Sequence, residues 1–421
     1  MKTRVALYTG AVWLFSALML ATLSFDVDAQ SAEDFHARAL AAAQTRPPAT
    51  TGSLRAGAAR GVDEYRLVFP RSYAASNSQQ DGDIHRAAKF DDLVEQLNEA
   101  GAEGYRLASF VYNGSDQPVG LVRRAGVPYE YEWLYLDGGH RVGVREVTIG
   151  FDDKYAEFSK KGFRLADYSY FENYCSPPAS DVSDRWECKY SYVFLLEREK
   201  GVERPARHAF AAWGHDPESA FLTEVRRILA DGYLPKHALP LYMFWFEPAE
   251  AGGVGRVGDA DLEVLGYKKA YWGTDQKKRI NELAKRGYRI ALADWNGALM
   301  YRPRGEAVGH SYVWVKADKN LERRLAQMQV KGALYLKTYE EDELVFEQRA
   351  VEDGTRREYR ALRFEFRSTK DASKTRVHVE LTPASKERLT TLERLTAEGF
   401  VVRDLFLTGE KVGAILERPS L

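Results

Sequence analysis

Residues Phe90–Arg124 read FDDLVEQLNEAGAEGYRLASFVYNGSDQPVGLVRR, and this stretch decides the fold class. Phe90, Leu93, Val94 and Leu97 recur three and four residues apart, which is the period of one helical face; Glu95, Asn98 and Glu99 occupy the opposite face. Gly101 and Gly104 follow the helix. Tyr105–Tyr112 then reads as a strand, and Asn113-Gly114-Ser115-Asp116 turns the chain into a last strand, Gly120–Arg124. Upstream, Tyr65-Arg66-Leu67-Val68-Phe69 supplies another strand, so the unit reads strand, helix, strand, strand.

The same phrase recurs down the chain. A second copy runs from Tyr155 and Phe158 through Gly162-Phe163-Arg164-Leu165 to Tyr192–Arg198, and a fourth from Ile280 and Leu283 through Gly287-Tyr288-Arg289-Ile290 to Ala298–Pro303. A sixth uses Leu389, Leu392 and Leu395, then Gly399-Phe400-Val401-Val402 and Gly413–Pro419. The third (Gly232-Tyr233) and fifth (Gly332-Ala333) copies are degenerate, and Pro235 and Pro240 interrupt the middle strand of the third. A glycine after each helix suits the left-handed cap position, where a side chain would clash. The expected fold is therefore α+β: about six tandem β-α-β-β units with helices packed on one face of short sheets. The expected divisions are 1–29, a signal peptide; 30–60, a flexible lead-in; and units at 61–127, 128–203, 204–258, 259–308, 309–352 and 353–421. The second sheet face must pack on a neighbouring unit or meet water, with Arg106, Arg164 and Arg289 at equivalent positions along it.

The run Leu97-Asn98-Glu99-Ala100-Gly101-Ala102-Glu103-Gly104-Tyr105-Arg106-Leu107 and the endings Tyr301-Arg302-Pro303 and Leu416-Glu417-Arg418-Pro419 resemble a bacterial family of small domains of unknown function. That family's phrase is a helix, Gly-Ala-Glu-Gly with an aromatic, a strand, and a last strand ending in a basic residue and Pro. The resemblance implies a fold and carries no activity with it.

Lys2 and Arg4 precede an apolar run from Val5 to Phe25 and then Val27-Asp28-Ala29, the pattern of a cleaved secretory signal; an uncleaved anchor is the alternative, and only that would tie the chain to a membrane. A periplasmic or secreted address follows. The two cysteines, Cys175 and Cys188, flank a loop rich in Pro, Ser and Asp, and in an oxidising compartment they read as a disulfide. With 60 basic and 61 acidic residues the formal net charge is -1, so no overall field draws the protein to a polyanion, and no nucleic-acid partner is expected.

No catalytic constellation stands out. The eight histidines are scattered, without HExxH or a ligand cluster, so neither a metal nor another cofactor is expected. Gly253-Val254-Gly255-Arg256-Val257-Gly258 satisfies GxGxxG by letter but lacks the surrounding strand and long helix, and reads as an inter-unit loop. Glu130 and Glu132 share one strand face as alternating surface charge. The candidate ligand-binding residues are Arg106, Arg164 and Arg289, with Tyr170 and Trp245 from the two aromatic clusters. Repeats without a catalytic set point to an interaction or binding scaffold in the cell envelope, with an envelope protein or a glycan as partner. The alternative is an envelope-polymer hydrolase whose site is assembled between repeats.

Overall fold

Each phrase folds into a three-stranded sheet in which the third strand lies between the first and second and runs antiparallel to both. The helix therefore connects two parallel outer strands, and the closing hairpin inserts the central one. The computed structural model describes residues 64–74, 82–112, 117–137, 144–176, 187–212, 218–239, 243–248, 261–266, 274–293, 297–302, 309–339, 342–349, 356–373, 376–408 and 411–420. The expected signal peptide and lead-in, the Asn113-Gly114 turn, the loop between the cysteines and the Gly253–Gly258 segment lie outside these residues. Among the described residues no helix is long and apolar enough to cross a membrane.

Unit 1 consists of β1 (Tyr65–Val68), α1 (Gly82–Ala102), β3 (Tyr105–Val111) and β4 (Val119–Arg124); a short strand, β2 (Ser72–Ala74), follows β1. Unit 2 has β5 (Tyr129–Asp137), α2 (Val144–Lys160), β6 (Arg164–Ser176) and β7 (Glu187–Glu199). Unit 3 has β8 (Ala209–Ala212), α3 (Glu218–Ala230), β9 (Tyr233–Leu239) and β10 (Met243–Pro248). Unit 4 has β11 (Asp261–Gly266), α4 (Thr274–Lys285), β12 (Arg289–Ala293) and β13 (Gly297–Arg302). Unit 5 has β14 (His310–Lys316), α5 (Leu321–Val330), β15 (Leu334–Tyr339) and β16 (Glu343–Arg349). Unit 6 has β17 (Arg356–Phe364), then an inserted hairpin of β18 (Phe366–Lys370) and β19 (Arg376–Leu381), and then α6 (Pro383–Ala397), β20 (Val401–Thr408) and β21 (Lys411–Ser420). The third unit forms its middle strand despite Pro235. That strand is at the sheet edge, beside a bulge, where proline is tolerated.

The glycine after every helix, Gly104, Gly162, Gly232, Gly287, Gly332 and Gly399, has positive φ, between 62° and 90°. The cap is thus common to all six units, including the two whose sequence phrase is weakest.

The second sheet face is covered neither by water nor by another sheet but by the preceding unit's helix. Phe90, Leu93 and Leu97 of α1 share a core with Tyr129, Tyr131, Val193 and Leu195 of unit 2, while Leu134, Leu136 and Phe194 on the other face of that sheet pack with Phe151 and Tyr155 of α2. The same relation joins α3 to Leu262 and Val264 of unit 4, α4 to Tyr312 and Val345 of unit 5, and α5 to Tyr359 and Ile415 of unit 6. It also joins Leu392 and Leu395 of α6 to Tyr65, Val119 and Leu121 of unit 1. Because the last helix covers the first sheet, the six units close into a ring. A seventh sheet reinforces the closure: β2 of unit 1 pairs with β19 of unit 6, and Arg376 Nε donates to Ser72 Oγ at 3.0 Å.

Specific polar contacts repeat at the junctions. Asn98 of α1 binds the backbone of Tyr131 in unit 2 twice, accepting from its N–H at 2.8 Å and donating to its carbonyl at 3.1 Å. Asn281 of α4 does the same to Tyr312 at 2.6 and 3.1 Å. The hydroxyls of Tyr131 and Tyr312 in turn accept from Leu107 N–H and Ile290 N–H on the second strands of the preceding units, at 2.7 and 2.9 Å.

Two substitutions test this junction. Asn98→Ala leaves a part-buried donor and acceptor unmatched and should cost about 2 kcal/mol in urea unfolding. Gly101→Ala would ordinarily stabilise a helix by about 1 kcal/mol. Here an added Cβ meets Tyr129 O of the next unit at 2.3 Å, so the expected outcome is a lower Tm.

Candidate functional site

The second strand of each unit carries a β-bulge at the same place in every copy, and β6 has a further one at Asn173. The register skips Ala108, Ala166, Lys236, Ala291, Leu336 and Arg403. A bulge inserts one residue and re-aims the side chains beyond it. The residue just past it is Ser109, Asp167, His237, Leu292, Lys337 or Asp404, each the fifth after its capping glycine. These residues reach across to the preceding unit's second strand, so the second strands meet around the ring axis and six equivalent positions converge there.

The contacts follow one rule with different chemistry. Ser109 Oγ donates to Asp404 Oδ1 at 2.6 Å, joining unit 1 to unit 6 across 295 residues of sequence. Asp404 also accepts from Leu405 N–H at 2.9 Å, and, in unit 5, from Thr338 N–H at 2.9 Å and the Tyr335 hydroxyl at 3.1 Å. Asp167 accepts from Tyr168 N–H at 2.8 Å and from Phe110 N–H of unit 1. The imidazole of His237 bonds the Leu165 carbonyl of unit 2. Lys337 Nζ donates to the Ala293 carbonyl of unit 4. Leu292 alone is apolar and buries itself in the core shared by units 3 and 4.

The polar positions are arranged in two arcs. Units 6, 1 and 2 contribute Asp404, Ser109 and Asp167, all hydroxyl or carboxylate; units 3 and 5 contribute His237 and Lys337, with Lys236 beside His237. Burial pushes the Asp167 carboxyl up to about 7, with the nearby Asp404 adding to the rise and the two N–H donors and Lys236 opposing it. Burial also pushes the His237 imidazole down to about 3, and the charges of Lys236 and Lys337 push the same way. Both side chains keep a minor part of their surface in contact with water. The crowding by protein, rather than that residual wetting, governs their titration. At neutral pH the ring of His237 is therefore uncharged, and its Nε2, with no partner, is a buried acceptor.

The residues singled out from sequence lie elsewhere. Arg106 and Arg164, from units 1 and 2, converge on one buried carboxylate, Glu197 Oε1, at 2.8 and 3.1 Å. Burial pushes the Tyr312 and Tyr131 hydroxyls up, with Glu347 and Glu197 adding to the rise and Arg289 and Arg106 opposing it. Trp245 is fully buried between units 2 and 3, stacked on His208 at 4.5 Å and edge-on to Tyr155 at 5.0 Å. Tyr170 pairs with Tyr192 in the β6–β7 ladder, and its side chain lies outside the described residues. Cys175 and Cys188 are directly opposite in that same ladder. Glu130 pairs with Arg198 at 2.6 Å in a peripheral cleft between units 1 and 2, also lined by Asn98, Tyr129 and Lys200, whose charges largely satisfy one another. Among the described residues no group of three or more His, Cys, Asp or Glu is placed to hold a metal ion.

The axial residues were missed because neither residue type nor strand alternation marks them. The available signal was positional: the fifth residue after each cap glycine. No protein-family description, no curated protein and no solved structure matches the chain. The resemblance to the small bacterial domain family thus rests on its phrases alone.

Two outcomes check the site. A group whose folded pKa is raised favours folding below its unfolded value, near 4, and the folded state loses stability relative to the unfolded as pH climbs to about 7. Asp167→Asn keeps an oxygen acceptor for Tyr168 and Phe110 without the charge. Its Tm should exceed that of the wild type at pH 8, and the gap should close towards pH 4. Glu197→Ala strands two part-buried guanidinium groups and should cost on the order of 3 kcal/mol in denaturant unfolding.

Proposed function

We propose that this chain is an exported binding scaffold of the cell envelope, whose closed ring holds a small polar ligand at its axis. One observation carries the reading: at six equivalent backbone positions, where a purely structural ring would suffice with one repeated residue, five carry polar side chains of differing chemistry. Asp404 spends its oxygens on four donors and serves the ring itself. Asp167, with two backbone donors, keeps lone-pair capacity, and it and His237 each retain a minor exposed surface for a ligand to meet.

A hydrolase is the second reading, because a carboxyl titrating near 7 and an uncharged imidazole from different units are suited to acid and base roles. A site encircled by six units admits a small molecule or a chain end more readily than the middle of a polymer, which favours binding over polymer cleavage. The partner expected from the sequence, an envelope protein or a glycan, would on this reading engage the ring's outer surface or present its end to the axis.

The test is a thermal-shift screen of small polar compounds on the mature protein. Compounds that raise Tm should lose their effect in His237→Gln and Asp167→Asn and keep it in Glu130→Gln, at the peripheral cleft. Hits indifferent to both axial substitutions would sink the axial reading, and turnover of a hit compound would favour the enzyme.

A further inference from the structure

We propose that Cys175 and Cys188 are joined by a disulfide that pins the register of the β6–β7 ribbon where it runs beyond its own sheet. The bond rests on the reading above only for the oxidising compartment of an exported chain, and owes nothing to the axial site.

Unit 2 carries the longest hairpin of the six, with 13 residues in each of β6 and β7. Their ladder runs from Arg164↔Glu197 to Ser176↔Glu187, whereas β5 flanks β7 only as far as Asp137↔Ser191. From Glu172↔Tyr190 onward the two strands have no third strand beside them in the sheet. A two-stranded ribbon alone is marginal in water, and its register is open to slipping by one residue.

The second bulge of β6, at Asn173, lies within this overhang and has no counterpart in the other five second strands. It shifts the pairing by one residue. Without it Tyr174 would stand opposite Cys188, and Cys175 opposite Glu187; with it Cys175 stands opposite Cys188. Directly opposed residues of an antiparallel pair share a face, with Cα atoms about 4.5 or 5.5 Å apart. A disulfide spans Cα separations of about 4.4–6.8 Å, so either kind of pair accepts the bond without backbone movement. One step out of this register, the two residues fall on opposite faces of the ribbon. The bond and the bulge therefore select the same pairing.

The chemistry needs an oxidant, and a small-molecule disulfide such as oxidised glutathione serves. One cysteine thiolate attacks it, expels a glutathione thiolate and leaves a mixed disulfide; the second cysteine thiolate then attacks the first cysteine's sulfur and expels the other glutathione. Two protein thiols are oxidised, one glutathione disulfide is reduced to two thiols, and the two cysteine protons pass to solvent and the leaving thiolates.

The ring itself does not depend on this bond. Val193–Leu196 and the Glu197 contacts with Arg106 and Arg164 lie in the three-stranded part of the sheet, where burial and β5 fix the register. Reduction should free the overhang and leave the junctions in place.

The experiment equilibrates the mature chain in a buffer of oxidised and reduced glutathione. Free thiols are counted with an aromatic disulfide reagent, and the intact mass is read. The expected product is a monomer with no titratable thiol, lighter than the reduced chain by two hydrogens. On adding dithiothreitol, amide exchange at Glu172–Ser176 and Glu187–Tyr190 should speed up on the order of a hundredfold, with Val193–Leu196 unchanged. The double variant Cys175→Ser, Cys188→Ser should exchange at the faster rate with or without dithiothreitol. Deletion of Asn173, shown to fold by its circular dichroism melt, should keep both thiols titratable in the same buffer. Two free thiols in the wild type, mixed glutathione or intermolecular disulfides only, exchange indifferent to reduction, or equal oxidation of the Asn173 deletion would each overturn the proposal. Protein recovered from intact cells with its thiols trapped by alkylation separates the bond from the address. A reduced chain in cells whose bond forms in glutathione supports the register staple and sinks the exported address alone.

Discussion

Each of the six unit sheets is apolar on both faces of its central strand, and the rest of the architecture depends on that constraint. A three-stranded sheet with one wet face would be satisfied by its own helix. Here the central strands are continuous buried runs, as in Val193–Leu196, Phe244–Phe246 and Leu344–Phe346, so each sheet needs a second cover. Each helix in turn touches two sheets. A linear array built this way would leave one helix stripe bare at one end and one sheet face bare at the other; solenoids solve this with polar caps. This chain brings the bare stripe of α6 onto the bare face of the first sheet.

Closure explains where polar groups are tolerated. The paired carboxamide contacts of Asn98 and Asn281 and the Glu197 pair with Arg106 and Arg164 sit at junctions between units, where they hold one unit's helix and strands against the next. Apart from Glu197 Oε2, these groups find their partners within the protein and read as architecture. The axis differs, since equivalent backbone sites there carry unlike side chains. Near-symmetry makes that difference visible: the ring supplies five controls for every position.

The bulge links fold to site. Without the extra residue in each second strand, the alternation that places Tyr105 and Leu107 on the helix would carry on past Ala108, and the following side chains would face the opposite way. With it, the residue just past the bulge, polar in five units and Leu292 in the fourth, turns to the neighbouring unit while Tyr105, Leu107 and their equivalents remain in the core. The same irregularity, repeated six times, sets that one position apart from residues further along the strand, such as Phe110, Leu405 and Leu407, which pack in the cores.

Much of the unit was legible in the linear chain. The helical stripes, the six cap glycines and the strand order along the sequence follow from local periodicity and backbone sterics, which depend on residues only a few positions apart. Even so, Pro235 and the alanine-rich β8 read as weak strands and pair nonetheless, because burial at the unit interface outweighs propensity. Local patterning specified the repeating module and its approximate number. Long-range packing set that the modules close, that Arg106 and Arg164 serve a junction, and that Ser109 meets Asp404. The physical reason is that a period reports which side chains share a face only while the register is unbroken. Beyond a bulge, and between units far apart in sequence, the packing of apolar faces sets which groups meet.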